Sequence, residues 1–179
     1  MSQWTKDFIG IILLVMINEI QTEKDFSEQL IKGKITELVF ERMFRTVGHF
    51  TVIPFGYENT LPEIVQYQHL AKYPQVFDTI KTAPDFAIVS HDRSEVFLVE
   101  VKYRTGHTDK AILELAGEIQ KKWKLVRLFL ATPSGFYFDS CSNIIKNEGK
   151  ISTLGPQWVN DEVQKEYLEL LNQFIIRPN

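Results

Sequence analysis

Cysteine, glycine-rich loops and low-complexity linkers are scarce or missing in this chain of 179 residues. A single cysteine, Cys141, excludes an intramolecular disulfide and fits the reducing cytosol, so we expect a cytoplasmic protein. No Cys-x-x-Cys or paired-histidine spacing indicates zinc, and the nine glycines form neither a P-loop nor a dinucleotide-binding fingerprint. The sequence therefore does not predict thiol, zinc or nucleotide-loop chemistry.

The charge balance excludes a protein that is basic over its whole surface. The formal net charge is −3, with 44% hydrophobic and 24% charged residues, which is ordinary for a globular protein. Nucleic-acid binding needs only a local basic patch, so it stays open. The length suits one domain over residues 1–179, with an apolar extension at 1–22, a core at about 30–140 and a C-terminal helix at about 161–176.

The longest apolar run covers residues 8–17 and needs an interpretation of its own. Its ten residues are about half of the roughly 20 that cross a bilayer as a helix. It lacks the basic start and the small-residue cleavage site of a signal peptide. A buried or subunit-interface helix, a loosely packed extension, a membrane-associated segment and a translation start at Met16 all stay open. We expect the first of these, and with it a homodimer that has no membrane partner.

Apolar periodicity and turn residues divide the chain into helices and strands. Helices are predicted at 23–47, 61–73, 109–122 and 163–176, and strands at 49–55, 86–90, 95–103, 125–131 and 136–138. Gly48 suits a helix terminus and Asp109 a helix N-cap. The turn sequence at 91–94 predicts an antiparallel hairpin between the second and third strands. The predicted fold class is α/β, with a mixed central β-sheet flanked by helices.

Two acidic residues and a lysine fall on the strands of that hairpin. Asp85 opens one strand, and Glu100 and Lys102 lie two positions apart on the other. Side chains alternate between the faces of a strand, so Glu100 and Lys102 project together. A carboxylate inside an apolar strand needs compensation, which Lys102 could supply as a structural ion pair. A second carboxylate from Asp85 exceeds that compensation and favours a hard divalent cation held through oxygen.

The order of these residues resembles a known motif. Pro84-Asp85 followed by Glu100-Val101-Lys102 is similar to the pattern of the PD-(D/E)xK nuclease superfamily, which includes many restriction endonucleases. The segment Lys32-Gly33-Lys34-Ile35-Thr36-Glu37 resembles a helical context found in its archaeal Holliday-junction resolvase branch. The resemblance covers about residues 30–140. It implies a restriction-endonuclease-like core and hydrolysis of DNA phosphodiester bonds with Mg²⁺, for which Mn²⁺ can substitute.

The resemblance also implies roles for individual residues. Asp85 and Glu100 would be metal ligands together with the backbone carbonyl of Val101, and Glu37 would bind a second ion or orient its water. Lys102 would position or activate the attacking water and offset negative charge on the transition state. The four catalytic candidates are thus Glu37, Asp85, Glu100 and Lys102.

The remaining candidates are a substitute acid and a set of basic residues. Glu41 shares a helical face with Glu37 and replaces it if the register differs. DNA contacts are expected from Lys32, Lys34, Arg104, Lys121 and Lys122, with His107 and Lys124 beside them. For the lysines that end a helix, interaction with the helix dipole is an equally good explanation. Gln120 is left out, because the tyrosine that accompanies this glutamine in some relatives is Lys124 here.

Three functional hypotheses follow from these residues. The first is a Mg²⁺-dependent nuclease that acts on duplex or branched DNA, or on RNA. The second is a catalytically inactive protein of the same fold that serves as a nucleic-acid or protein binding module. The third is an unrelated α/β protein in which the pair of Glu100 and Lys102 is structural.

Overall fold

The structure, a computed structural model, describes residues 3–56 and 79–175, with side chains from residue 25 onward. The helix predicted at 61–73 lies outside the described residues. The chain divides into two units, Met1–Lys34 and Ile35–Asn179, which are described separately. The second unit contains the whole β-sheet and all four catalytic candidates.

The first helix, α1, runs over Gln3–Val47 and is longer at its N-terminal end than the predicted 23–47. It passes from the first unit into the second. The helix ends as predicted at Gly48, whose φ of 69° is a left-handed conformation that favours glycine. In the first unit its side chains Phe26, Leu30 and Ile31 are exposed. None of the helices described combines the length and apolarity that crossing a membrane requires.

Five strands form one mixed sheet in the order β1-β2-β3-β4-β5. Their bounds are Phe50–Pro54 for β1, Phe86–Ser90 for β2, Val96–Tyr103 for β3, Val126–Thr132 for β4 and Gly135–Ser140 for β5. Strands β2 and β3 form the predicted antiparallel hairpin, and β3 is central. The pair β3–β4 is parallel and all other pairs of this sheet are antiparallel. The predicted α/β class with a mixed sheet flanked by helices is therefore confirmed.

Three helices follow β3, namely α2 at Asp109–Lys122, α3 at Cys141–Lys146 and α4 at Asp161–Ile175. The prediction of Asp109 as N-cap of α2 is wrong: the Thr108 hydroxyl accepts the Ala111 N–H at 3.3 Å, and Asp109 is the first helical residue. Helix α3 was not predicted, because six residues are too few to show helical periodicity. Its N-cap is Ser140, whose hydroxyl accepts the Asn143 N–H at 3.1 Å.

Helices cover both faces of the sheet. On one face, the C-terminal part of α1 and helix α4 pack on aromatic and aliphatic strand residues around Phe40, Phe44 and Phe129. On the other face, α2 and α3 pack on the even-numbered residues of β4 through Ile112, Ala116, Cys141 and Ile144. We call the second one the α2/α3 face. Because strand side chains alternate, each position on β3 and β4 is assigned to one face or the other.

Arg127 on β4 packs against Phe97, Phe138 and Trp158, which we call the aromatic edge of the first face. Its guanidinium carbon lies 4.7 Å from the ring centre of Phe97, 4.9 Å from that of Trp158 and 5.6 Å from that of Phe138. Burial lowers the pKa of Arg127, and the nearby Asp139 and Glu95 carboxylates oppose that shift. Contact with the three rings thus compensates part of the hydration that the guanidinium loses on burial.

We predict that Arg127→Ala destabilises the protein, because the cation and its aliphatic stem both lose their partners. The expected fall in Tm is roughly 3–8 °C, from about 1–2 kcal/mol. Thermal unfolding followed by circular dichroism measures it. Arg42→Ala, at an exposed position of α1, is the matched control. Equal effects of the two substitutions would contradict the role of the aromatic edge.

Candidate active site

Asp85 lies where the backbone ladder between β2 and β3 ends. The last paired residues there are Phe86 and Val99. One residue further, the Asp85 carbonyl accepts the N–H groups of Phe55 and Gly56 at 2.9 and 3.1 Å, which anchors it to the end of β1. The Asp85 carboxylate Oδ2 accepts the Val101 N–H at 2.7 Å. Beyond the last backbone pair, the Asp85 side chain therefore makes the next hydrogen bond to β3, which holds its carboxylate against the central strand.

Glu100 and Lys102 project together onto the α2/α3 face, as the alternation of β3 predicts. Their neighbours Val99 and Val101 are buried in the core of the opposite face. Lys102 Nζ donates to Glu100 Oε1 at 2.5 Å. The exposed fractions are 34% for the Lys102 side chain and 17% for the Glu100 side chain. Solvent or substrate can therefore reach the lysine more easily than the carboxylate.

Two of the other catalytic candidates, Asp85 and Lys102, lie beside Glu100. Continuing the register beyond Phe86 and Val99 puts Asp85 opposite Glu100, on strands about 4.8 Å apart. Burial raises the pKa of Glu100; Lys102 opposes the shift, and the negative charges of Asp85 and Glu37 add to it. Asp85 and Glu100 therefore belong to one site on neighbouring strands, and Glu37 of α1 is linked to it through its effect on the pKa of Glu100.

The structure also distinguishes Glu37 from its substitute Glu41. Glu41 forms an ion pair with Arg45 at 2.9 Å, and the same guanidinium nitrogen donates to the Val52 carbonyl at 2.9 Å. Glu41 is thus part of the contact between α1 and β1. Glu37 is the acid on α1 whose charge acts on Glu100.

The donor set of this site suits a hard cation. Asp85, Glu100 and Glu37 offer carboxylate oxygens, which are the ligands that Mg²⁺ and Mn²⁺ prefer. A divalent charge beside Glu100 would reverse the effect of burial and of the two neighbouring acids on its pKa. Within residues 25–56 and 79–175, no three acidic, histidine or cysteine side chains already stand at the spacing of a metal cage. The oxygen donors and negative charges of these residues therefore suit such a cation. Glu100 Oε1 is hydrogen-bonded to Lys102 in this structure.

The predicted basic residues do not form one group. Arg104 is exposed directly after β3, and its N–H donates to the Ala131 carbonyl at 3.0 Å. Lys121 and Lys122 are exposed at the end of α2, which is about 21 Å long and leads back to the start of β4. They lie toward the opposite end of β3 from Lys102, which favours the helix-dipole explanation.

The other two predicted lysines belong to the first unit of the chain. Lys32 lies 3.9 Å from Glu28, one helical turn away. Lys34 is exposed and is the last residue of that unit. Their contribution to DNA binding stays a prediction.

Sequence reasoning missed Tyr137 and Asp139 on the α2/α3 face and did not place Cys141 there. Asp139 is buried in the row of Glu100, since Glu100 pairs with Leu128 and Leu128 with Asp139. Burial, with help from Glu100 and Asp139, raises the pKa of Cys141 to about 12, which keeps the thiol protonated. Alternation along Gly135–Ser140 was the available signal, because it puts Tyr137 and Asp139 on one face.

Comparison with known proteins adds no relative. No protein-family model matches the chain, and no curated protein or solved structure matches it either.

We predict that Glu100→Gln makes the metal-free protein more stable at neutral pH. The pKa of Glu100 is raised above its ordinary 4.5, so the folded state holds this proton more firmly than the unfolded chain. Wild-type stability therefore falls as the pH rises from below 4.5 through the folded pKa, and the variant lacks this loss. Thermal unfolding in EDTA from acid to neutral pH measures the difference.

The control for that series is Glu118→Gln, at an exposed position of α2. Its difference from wild type should show much less dependence on pH. A Glu100→Gln difference that stays constant across the range, or that reverses, would contradict the effect of burial and neighbouring acids on Glu100.

Proposed function

We propose that this protein is a Mg²⁺-dependent nuclease of the PD-(D/E)xK superfamily that hydrolyses DNA phosphodiester bonds. The restriction-endonuclease-like core is part of this proposal. The observation that carries it is the half-buried Glu100 carboxylate, bonded to Lys102 and raised in pKa by burial, Asp85 and Glu37. A structural pair of Glu100 and Lys102 does not by itself require two further acids whose charges raise the pKa of Glu100.

A bound Mg²⁺ would supply a hydroxide-like water at neutral pH and stabilise charge on the phosphate. Asp85, Glu100 and Glu37 would hold it, with the Val101 carbonyl as a further oxygen ligand. The hydrogen bond from the Val101 N–H fixes one Asp85 oxygen and so orients the carboxylate. The orientation of the Asp85 carboxylate would thus be set before a substrate binds.

Lys102 is the proposed positive group at the reacting phosphate. Its bond to Glu100 fixes the ammonium beside the acids, and its exposed fraction of 34% leaves it open to substrate. When the water oxygen bonds to phosphorus and one P–O ester bond breaks, negative charge grows on the phosphate oxygens. An ammonium placed at that point lowers the barrier, because its attraction is strongest in the transition state.

Partners and location complete the proposal. Duplex or branched DNA, or RNA in its place, would be the substrate, and a homodimer would present two sites to two strands. The exposed Phe26, Leu30 and Ile31 of α1, together with the apolar run at 8–17, support self-association. A single buried cysteine suits the reducing cytoplasm.

We predict metal-dependent cleavage that Asp85→Ala and Lys102→Ala each reduce by roughly 100-fold or more. The first substitution removes a ligand and the second removes the charge at the phosphate. The assay contains Mg²⁺ or Mn²⁺ with linear duplex, single-stranded, flap and four-way-junction DNA, and RNA. Wild type should cut at least one of these substrates.

The matched controls are Glu166→Gln and Lys165→Ala on α4, which packs on the opposite face of the sheet. Both should cut as wild type does. Cleavage that persists in Asp85→Ala and Lys102→Ala would show a contaminant or another site. Absence of cleavage and of Mn²⁺ binding by calorimetry would favour the inactive binding module.

We also predict that the wild-type protein has the mass of two chains in light scattering, and that Leu30→Glu shifts it to one. The added charge would have to be buried in an interface formed by α1. Gln29→Glu adds the same charge at the neighbouring exposed position and should leave the dimer intact. A monomeric wild type would refute self-association.

A further inference from the structure

A cavity of about 350 Å³ lies beside the end of α3, away from the four catalytic candidates. Its lining residues are Lys146, Asn147, Glu148, Lys150, Ile151 and Ser152. We infer that this cavity binds a backbone phosphate of the nucleic-acid strand whose neighbouring segment is cut at Lys102. The inference rests on the proposed function and deepens it by assigning a second contact to the same strand.

The loop that forms the cavity is held against the first turn of α2. Gly149 has φ 94°, and a Cβ atom there would lie 1.8 Å from the Asp109 carbonyl oxygen, so only glycine allows this approach. The Gly149 N–H donates to the Ile144 carbonyl at 2.8 Å, and the Lys150 N–H to the Asn147 carbonyl at 3.1 Å. The loop is therefore fixed on both sides, which a preformed binding site requires.

A buried carboxylate supports the other wall. Asp139 accepts hydrogen bonds from the Ser152 hydroxyl at 2.8 Å and from the Asn143 amide at 3.2 Å. The Ser152 hydroxyl has therefore used its proton and cannot donate it to an anion. The side-chain donors left for a phosphate are the ammonium groups of Lys146 and Lys150 and the amide of Asn147.

Charge at the cavity is mixed, with a positive excess. Lys146 and Lys150 carry two positive charges, and Glu148 brings one negative charge. All three side chains are exposed at the rim. A phosphate would gain from both ammonium groups and lose part of that gain to the Glu148 carboxylate. Removing the two lysines and removing the Glu148 charge should therefore change the affinity for phosphate in opposite directions.

The sheet register relates the cavity to Lys102. Lys102 pairs with Leu130, Leu130 with Tyr137, and Tyr137 with Thr153, the residue after Ser152. Three strand spacings separate Lys102 from Thr153, which is about 14 Å. Phosphates of one strand of a duplex follow each other every 3.4 Å or so along the axis, so the two contacts would be about four nucleotides apart.

The surface between them offers an aromatic contact. The rings of His107 and Tyr137 meet edge to face, with centres 4.9 Å apart. Both residues are partly exposed and lie in the row of Lys102 or at the start of α2. A strand that passes from Lys102 to the cavity would cross this pair, which suits the stacking and polar contacts that proteins offer to nucleotides.

The test is binding of labelled single-stranded and duplex DNA in EDTA, where no metal-dependent cutting occurs, followed by fluorescence anisotropy. The double variant Lys146→Ala/Lys150→Ala should raise Kd about tenfold and reduce the slope of log K against log salt by about one. Glu148→Gln should lower Kd, a gain that a misfolded protein cannot mimic. Lys165→Ala on α4 is the control and should bind as wild type does.

A second arm uses the mapped cleavage position in Mg²⁺. Substrates shortened to fewer than about four nucleotides on one side should lose the difference between wild type and the double variant, whereas shortening the other side should not. Unchanged Kd in both the double variant and Glu148→Gln, with wild type still cutting, would overturn the inference and leave the proposed function standing. A wild type that neither cuts nor binds nucleic acid would overturn both.

Discussion

The hydrogen bond from the Val101 N–H to the Asp85 carboxylate is the interaction on which the site depends. It forms where the β2–β3 ladder ends, and it joins the start of one strand to the centre of the next. Without it, the Asp85 carboxylate would lose its hydrogen bond to the central strand. With it, the carboxylate is fixed beside Glu100, and the sheet itself sets the separation of the two acids.

The ionised Glu100 carboxylate lowers the stability of the fold in this arrangement. An ionised carboxylate half-buried on the central strand is unfavourable, and Asp85 and Glu37 make it more so. Lys102 offsets part of that cost, yet the pKa of Glu100 stays raised. The apolar packing of Val99 and Val101 on the opposite face holds β3 in place nevertheless. Local instability concentrated at one site is typical of groups retained for chemistry or binding.

Most of this framework could be predicted from the sequence because it follows from local rules. Alternation along residues 95–103 assigns Glu100 and Lys102 to one face, turn residues at 91–94 give the hairpin, and Gly48 ends α1. Choices between equivalent groups could not be predicted. Thr108 and Asp109 are both good caps, and Glu37 and Glu41 share a helix face. The Thr108 hydroxyl makes the cap in the first case, and in the second the contact of Arg45 with the Val52 carbonyl of β1 engages Glu41 rather than Glu37.

The single parallel pair in the sheet explains where the positive residues lie. A parallel connection must cross from the end of β3 to the start of β4, so α2 begins near Lys102 and ends far from it. His107 and the first turn of α2 are thereby brought to the end of the sheet where Lys102 lies, and Gly149 packs the loop bearing Lys150 against that turn. Lys121 and Lys122 are carried to the other end. Topology, more than local composition, thus determines which cations lie at the same end of the sheet as Lys102.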